Sequence, residues 1–361
     1  MKKTRRIEIL FEILRIIFAM AIAYLLAMLV LLFISKEPIE AIKSFAFGPL
    51  TSKRRISSVF ELMIPFMLTG TGMCMMYSAN RFNLSVEGIF LFSGCIITLC
   101  SFYLNLPKVL FSLVLILIGA VVGGLLAFIP AVGREKLGAN EVVISIMLNY
   151  ALLYFSNFIL RNFMLDTSVT YSASYPIKDA AKLTRLFKGT RLHTGLFVAL
   201  LVVVLGYLFL SKTPIGLKIR SCGANASFAK YAGINVALYC IIAQVIGGAC
   251  AGIGGTVQIL GLFDRFQWDS LTQYGFDGLL VSVLAKRNPI LVPVGAFLLA
   301  YLRIGADIVN YSTDVPAEFV SILQAIIILL VAAQEFLGVM KRKTIYKAAR
   351  KEMMLEKGES K

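Results

Sequence analysis

The chain has 361 residues, 58% of them hydrophobic and only 16% charged, with a formal net charge of +16. An ordinary soluble domain carries about 25% charged residues, and a soluble core of this size needs far more polar side chains to cover its surface. The composition excludes a globular cytoplasmic protein and a disordered one, and predicts an all-α polytopic membrane protein.

Lys2, Lys3, Arg5 and Arg6 precede the first apolar window, and Met1–Glu12 mixes these charges with Ile7, Leu10 and Phe11. This pattern predicts an amphipathic cytoplasmic segment over residues 1–15. The first window, Ile16–Ser35, has the length of a membrane span. It exceeds a signal-peptide core and runs into Glu37 and Pro38, so a retained helix is expected. Further helices are predicted over about Ser58–Tyr77, Glu87–Tyr103, Lys108–Ala131, Glu141–Leu160, Leu192–Leu210, Val236–Ile259, Pro289–Ile304 and Phe319–Leu337. Asp277–Ala285 is too short to span alone and reads as half of a broken helix. Counting it, about ten crossings result, in a transmembrane domain over 16–337 followed by a basic cytoplasmic tail over 338–361. The tail carries Lys341, Arg342, Lys343, Lys347, Arg350 and Lys351. An even count places both basic ends in the cytoplasm, as the excess of Lys and Arg on that side requires. Lys53, Arg54 and Arg55, and Lys178 through Arg191, fall outside in this topology, against the same rule.

Two stretches read as breaks between hydrophobic segments. Tyr77–Gly88 places Asn80, Arg81, Asn83 and Glu87 between two apolar windows. Such groups face protein or water rather than lipid. Glu87 opens the next helix, where exposed amides favour a carboxylate, so the stretch is either a rigid elbow at the cytoplasmic mouth or a solvated helix cap. The second break runs from Gln267-Trp268-Asp269 to Tyr274-Gly275-Phe276-Asp277-Gly278. Asp277 is expected to cap the short helix after it, or else to orient a path-lining group. Phe266 and Trp268 read as interface anchors or as solute-stacking groups. Gly248 and Gly252 form a GxxxG pair in a helix rich in small residues, which permits close backbone packing. Asn149, Asn157 and Gln244 are polar positions within spans, suited to interhelix bonds or to contact with a polar solute. Glu61 reads as a structural carboxylate that either snorkels or pairs.

Thr213–Ile234 lies between two spans on the expected inner side. Pro214 starts a short helix, Gly223-Ala224-Asn225 breaks it, and Ala226–Ala232 forms another, ended by Gly233. Its apolar groups, with Lys218, Arg220, Asn225 and Lys230, suit docking of a soluble partner or a surface-lying loop. No Gly-rich phosphate loop, zinc-binding HExxH or calcium-loop pattern occurs, and Ser85 and Ser221 have no histidine base arranged nearby. His193 begins an apolar helix and reads as a facing or interfacial residue rather than a catalyst. Cys74, Cys95, Cys100, Cys222, Cys240 and Cys250 contain no CxxC and read as small packing groups. No isolated basic domain points to nucleic acid. The residues alone leave an ion-coupled transporter open, with Glu87 and Asp277 as coupling charges.

Three runs carry a resemblance over about Ile56–Gly338: Asn83-Leu84-Ser85-Val86-Glu87-Gly88, Gly138-Ala139-Asn140-Glu141 through Met147-Leu148-Asn149-Tyr150, and Gly223-Ala224-Asn225 through Gly233-Ile234-Asn235. Phe276-Asp277-Gly278 followed by Asn288-Pro289 adds a fourth match. The chain resembles a permease subunit of the ribose/branched-chain amino-acid class of ABC importers, closest to the purine-nucleoside branch. It departs at Ser85, where glycine is usual, and at Ile89, where glutamine is usual. The resemblance implies a membrane permease without its own ATPase site or cofactor. Its partners would be an ATPase subunit using ATP and Mg, a second permease subunit and an external substrate-binding lipoprotein. The solute would be a nucleoside, with ribose or another sugar as the alternative. It also implies that Thr213–Gly233 couples the ATPase to the membrane domain, and within it Lys218, Arg220, Asn225 and Lys230 are the candidate coupling residues. From the residues themselves, Asn83, Glu87, Asn149 and Asp277 are the candidates for the translocation path or its elbow.

Overall fold

A computed structural model describes residues 37–313, together with Leu25, Met28, Leu32 and Val315. The expected segment 1–15, the spans Ile16–Ser35 and Phe319–Leu337 and the tail 338–361 lie outside the described residues. The chain divides into two units: residues 46–305 form one, while 1–45 and 306–361 belong to the other.

The described residues form helices and no strand beyond two isolated β-bridges. In chain order the helices are α1 Pro38–Phe47, α2 Lys53–Ser78, α3 Val86–Tyr103, α4 Lys108–Leu137, α5 Glu141–Ile159, α6 Gly195–Lys212, α7 Pro214–Ala224, α8 Ala226–Tyr231, α9 Val236–Leu262, α10 Tyr274–Leu284 and α11 Val292–Ser312. A π-turn, Leu160–Met164, extends α5, and a 3-10 turn, Pro289–Leu291, leads into α11. Seven of these helical stretches are long and apolar enough to cross a membrane, and α10 is apolar but shorter.

The helix ends follow local chemistry. Ser52 caps α2 through Arg55 N–H, so this helix starts earlier than the uncharged window indicated and takes in Lys53, Arg54 and Arg55. Asn140 accepts from the amides of Val142 and Val143 and caps α5. Asn235 caps α9 through Leu238 N–H. Gly138, at φ +66°, closes α4 in the left-handed conformation that suits glycine. Lys178 reaches back to the end of α3, donating to the carbonyls of Phe102 and Leu104, each at 2.9 Å.

Packing is densest where α9 meets α4, and glycine sets the spacing. A Cβ on Gly252 would stand 2.0 Å from the Gly119 carbonyl oxygen, and one on Gly123 2.2 Å from the Gly248 carbonyl oxygen. The GxxxG pair read in α9 thus faces a second pair, Gly119 and Gly123, on α4. Gly255 approaches α3 in the same manner, against the Phe90 carbonyl. In lipid, helices associate by such close packing rather than by a hydrophobic drive between them.

After α9 the chain does not continue outward but folds back along α3. Trp268 stacks on Phe90 with ring centroids 5.6 Å apart, and Tyr274 meets the same ring at 5.2 Å. Phe266 is fully buried and Trp268 nearly so. The reading of these two as interface anchors is corrected: they fill the interior between α3 and α9, with Phe263 and Phe266 edge-on to the indole.

Candidate functional site

The first break, between α2 and α3, is an elbow held by side-chain hydrogen bonds. Asn83 is buried; its Oδ1 accepts from the Ser85 amide and hydroxyl at 3.0 and 2.6 Å, and its Nδ2 donates to Gln244 Oε1 on α9 at 2.8 Å. Ser85, the departure from the usual glycine, supplies one of these bonds. Asn149 on α5 is buried too. Its Oδ1 accepts from Gly88 N–H at 2.8 Å and its Nδ2 donates to the Leu84 carbonyl at 3.0 Å. Gly88 is needed there, because a Cβ would lie 2.6 Å from the Asn149 Cα. The elbow is thereby tied to α9 on one side and α5 on the other. Beyond it, Arg81 pairs with Glu135 at the end of α4.

Glu87 directs its hydrogen bonds away from its own helix. One carboxylate oxygen accepts from the Thr272 hydroxyl at 2.9 Å and Gln273 N–H at 2.6 Å; the other accepts from Gly275 N–H at 2.7 Å. Glu87 does open α3, in the first turn, but its hydrogen bonds cap α10, whose preceding residue Gln273 is left-handed at φ +68° and offers no side-chain cap. The helix with orphan amides and no local acceptor takes the carboxylate. A Cβ on Gly275 would stand 2.5 Å from the backbone of Glu87, so the two breaks touch.

Asp277 is likewise not the cap of α10. It sits a turn inside, 2% exposed, with its two oxygens held by the Arg303 guanidinium of α11 at 2.9 and 2.7 Å. Nη2 donates a hydrogen bond to Oδ1, and Nη1 stands in ion-pair contact with Oδ2. Arg303 also lies over the Phe66 ring at 5.6 Å. It was not singled out in the sequence; the signal was an arginine within an apolar segment, a rarity that requires a partner. Glu61, buried on α2, accepts from Gln258 Nε2 of α9 at 2.9 Å, as a paired structural carboxylate should. Asn157 donates to the Asp269 carbonyl at 3.3 Å.

The segment between α6 and α9 forms the two short helices expected of it. Thr213 caps α7 through Gly216 N–H, and Asn225 caps α8 through Phe228 N–H. A Cβ on Gly223 would meet the Ser78 carbonyl at 2.0 Å, so α7 lies against the end of α2, next to the elbow. Lys218 is tied down, donating to the Tyr239 hydroxyl at 2.9 Å. Arg220 and Lys230 are exposed. Beside them stand Leu217 at 58%, Phe228 at 66% and Tyr231 at 93% exposure. These side chains form an apolar and basic surface at the helix ends that also hold the elbow.

At the opposite helix ends a cavity of about 770 Å³ is lined by Arg54, Arg185, Arg191, Arg265, Tyr171 and Tyr274 among others. Arg265 is paired with Asp166, which also accepts from the Ser168 hydroxyl at 2.6 Å. His193 lies beneath this region, fully buried, with Nδ1 accepting from Gly195 N–H at 3.2 Å. Burial, with Arg185 nearby, pushes its imidazole down to about 4, so it remains neutral at physiological pH and packs against Gly261.

The family model described as "Branched-chain amino acid transport system / permease component" matches residues 55–332. The nucleoside ABC transporter permease protein NupB of Lactococcus lactis is 29% identical over 89% of this chain and 91% of its own length. The guanosine ABC transporter permease protein NupP of Bacillus subtilis is 31% identical over 77% of this chain and 81% of its own. The glucose ABC transporter permease protein TsgB13 of Haloferax volcanii is 28% identical over 83% and 82%. An apolar helical body, two interlocked breaks and a capped helix pair at one end are thus joined to a family match over most of the chain: the protein belongs to the branched-chain amino acid transport system permease family and is a membrane-spanning permease subunit of an ABC transporter.

Proposed function

We propose that this subunit imports nucleosides, forming half of a translocation path that a separate ATPase drives. The observation that carries the solute is the likeness to two permeases named for nucleoside and guanosine transport, one of them over nine-tenths of both chains. The likeness to a glucose permease keeps a sugar as the second reading. In the proposed topology the seven apolar stretches, the short α10 completed by the fold-back segment before it, and the two windows outside the described residues make ten crossings. Both termini are then cytoplasmic, in a bacterial cell membrane. The second subunit of the path is another permease chain, and an external lipoprotein delivers the solute.

The energy enters at α7 and α8, which act as coupling helices. The sequence offers no phosphate-cradling loop, so ATP and Mg are used by the partner. Exposed Leu217, Phe228 and Tyr231, flanked by Arg220 and Lys230, suit a soluble protein surface. Asn225 shapes this surface by capping α8, and Lys218 by holding α7 to α9. Since α7 lies against the end of α2, a push on it reaches the elbow. Asn83, Glu87, Asn149 and Asp277 border the path as its frame, each side chain bonded to a neighbouring segment. ATP binding shifts the balance between inward-open and outward-open arrangements by its differential affinity for them. No bond of the solute is made or broken.

Uptake of labelled guanosine, adenosine and uridine in matched cells with and without this chain, with ATP present or depleted, tests the reading. Chain-dependent, ATP-dependent uptake that nucleosides compete and ribose does not is the expected result. Absence of nucleoside uptake with every subunit present moves the solute to a sugar, and uptake that survives ATP depletion rejects the ATP-driven mechanism. Arg220→Glu is expected to lower ATPase co-purification about tenfold, equivalent to about 1.4 kcal/mol of docking energy. Unchanged co-purification and unchanged solute-stimulated ATP hydrolysis would overturn the docking role.

A further inference from the structure

The helix α5 has two unlike faces. Ser145, Asn149, Leu152 and Ser156 are buried against the rest of the unit. On the opposite side Val143, Met147, Tyr150, Tyr154 and Phe158 recur at helical spacing and stand 52%, 67%, 51%, 69% and 53% exposed. This face differs from those of the other exposed spans. On α4 the exposed large side chains are Val109, Leu110, Leu113, Leu117, Val121, Leu125, Phe128 and others of the same kind. On α6 they are Phe197, Leu200, Leu201, Val204, Leu205 and Leu208. The large side chains exposed on those two faces are hydrocarbon and suit lipid.

The α5 face carries two phenol hydroxyls, and their depth matters. The stretch Glu141–Met164 has 24 residues, about 36 Å at 1.5 Å per residue. Tyr150 and Tyr154 lie about 14 and 20 Å along it, astride its midpoint. Tyrosines that face lipid gather at the two interfaces, where the hydroxyl meets water. At mid-depth a hydroxyl against acyl chains has nothing to bond, and the cost of that is not offset. Neither hydroxyl has a hydrogen-bond partner among the described residues. Such hydroxyls face water or another protein chain rather than lipid.

We propose that Tyr150 and Tyr154 line the water-filled path and are the solute-contacting residues of this chain, their rings stacking on a flat polar heterocycle and their hydroxyls bonding its edge. The inference rests on the importer reading above and adds the residues that meet the solute. An aromatic ring flanked by Met147 and Phe158 offers a sequence-tolerant platform to a base, and single stacking contacts are weak enough to permit release. Asn149, one position away, has no free polar atom to offer, since both ends of its amide are bonded to the elbow.

The test uses the complete transporter in membrane vesicles. Tyr150→Cys and Tyr154→Cys are treated with a charged, membrane-impermeant thiol reagent, alongside Val121→Cys and Val204→Cys as mid-span controls, each compared with the unsubstituted chain. The two tyrosine positions are expected to react at least tenfold faster than the controls, and guanosine is expected to slow them. Tyr150→Leu and Tyr154→Leu are expected to raise the KM for guanosine uptake about tenfold at unchanged complex yield, with Tyr→Phe intermediate. Thiols at 150 and 154 as inert as those at 121 and 204 would overturn the wet face. Reactive thiols with an unaltered KM in both leucine variants would overturn the solute contact. A transporter that takes up no nucleoside in the unsubstituted form strikes the solute reading instead, and the labelling rates still decide whether this face lines water.

Discussion

Replacing Arg303 by methionine is expected to remove most of the folded protein. Asp277 is 2% exposed, and its carboxylate is held by the two guanidinium nitrogens of Arg303. Removing the cation leaves an uncompensated charge inside an apolar bundle, a loss of about 3–5 kcal/mol. A domain has about 5–15 kcal/mol of net stability in all, so the fraction folded falls steeply. The double variant Asp277→Asn with Arg303→Met removes both charges and is expected to recover much of the loss, because a buried pair adds little over a neutral replacement. Size-exclusion yield and melting temperature in detergent read both results. Equal melting of Arg303→Met and the unsubstituted chain would show that the pair is not structural.

Substituting Gly252 by valine is the second large effect. The Cβ alone would come within 2.0 Å of the Gly119 carbonyl oxygen, and Gly123 Cα lies 3.1 Å from the same position. The obstacle is backbone, so no rotamer change relieves it. α4 and α9 must separate, which breaks the reciprocal contacts at Gly123 and Gly248 as well. Overpacking in a dense interior typically costs about 1–3 kcal/mol and more when the backbone has to move. We expect Gly252→Val to lower extracted monodisperse protein severalfold, and Gly252→Ala to have a smaller effect of the same sign. Normal yield and melting temperature for the valine variant would refute the close crossing. Val204→Ala, on the exposed face of α6, serves as the neutral control.

Much of the helical body was legible because its signals are local. Uncharged windows, Pro214, Asn225 and Gly233 mark starts and stops through the chemistry of single turns, and the short helices between α6 and α9 fall where those residues place them. What the sequence hid are pairings between residues far apart along the chain. Glu87 reads locally as belonging to α3, whereas its acceptor role lies with Thr272, Gln273 and Gly275. Asp277 reads as a cap until Arg303 is brought beside it. Trp268 has the amphipathic character of an interface residue, but the fold-back along α3 encloses it among phenylalanines. Helical facing explains Asn149: a polar residue within a span has two meanings, and only the packed direction of α5 shows that the amide turns inward while Tyr150 turns outward.

The cap on α10 also bears on how the chain is built. An 11-residue helix is about half the length that a bilayer span requires, so Tyr274–Leu284 cannot partition into the membrane as an independent unit. Its first amides are satisfied by a carboxylate nearly 190 positions upstream, on a helix synthesised much earlier. The order of assembly follows: α3 must already be seated, with Glu87 turned inward, before the last part of the unit has anywhere to dock. A lesion at Glu87 would then appear as a late failure of biogenesis, with the earlier spans inserted and the segment from 274 onward left accessible to protease.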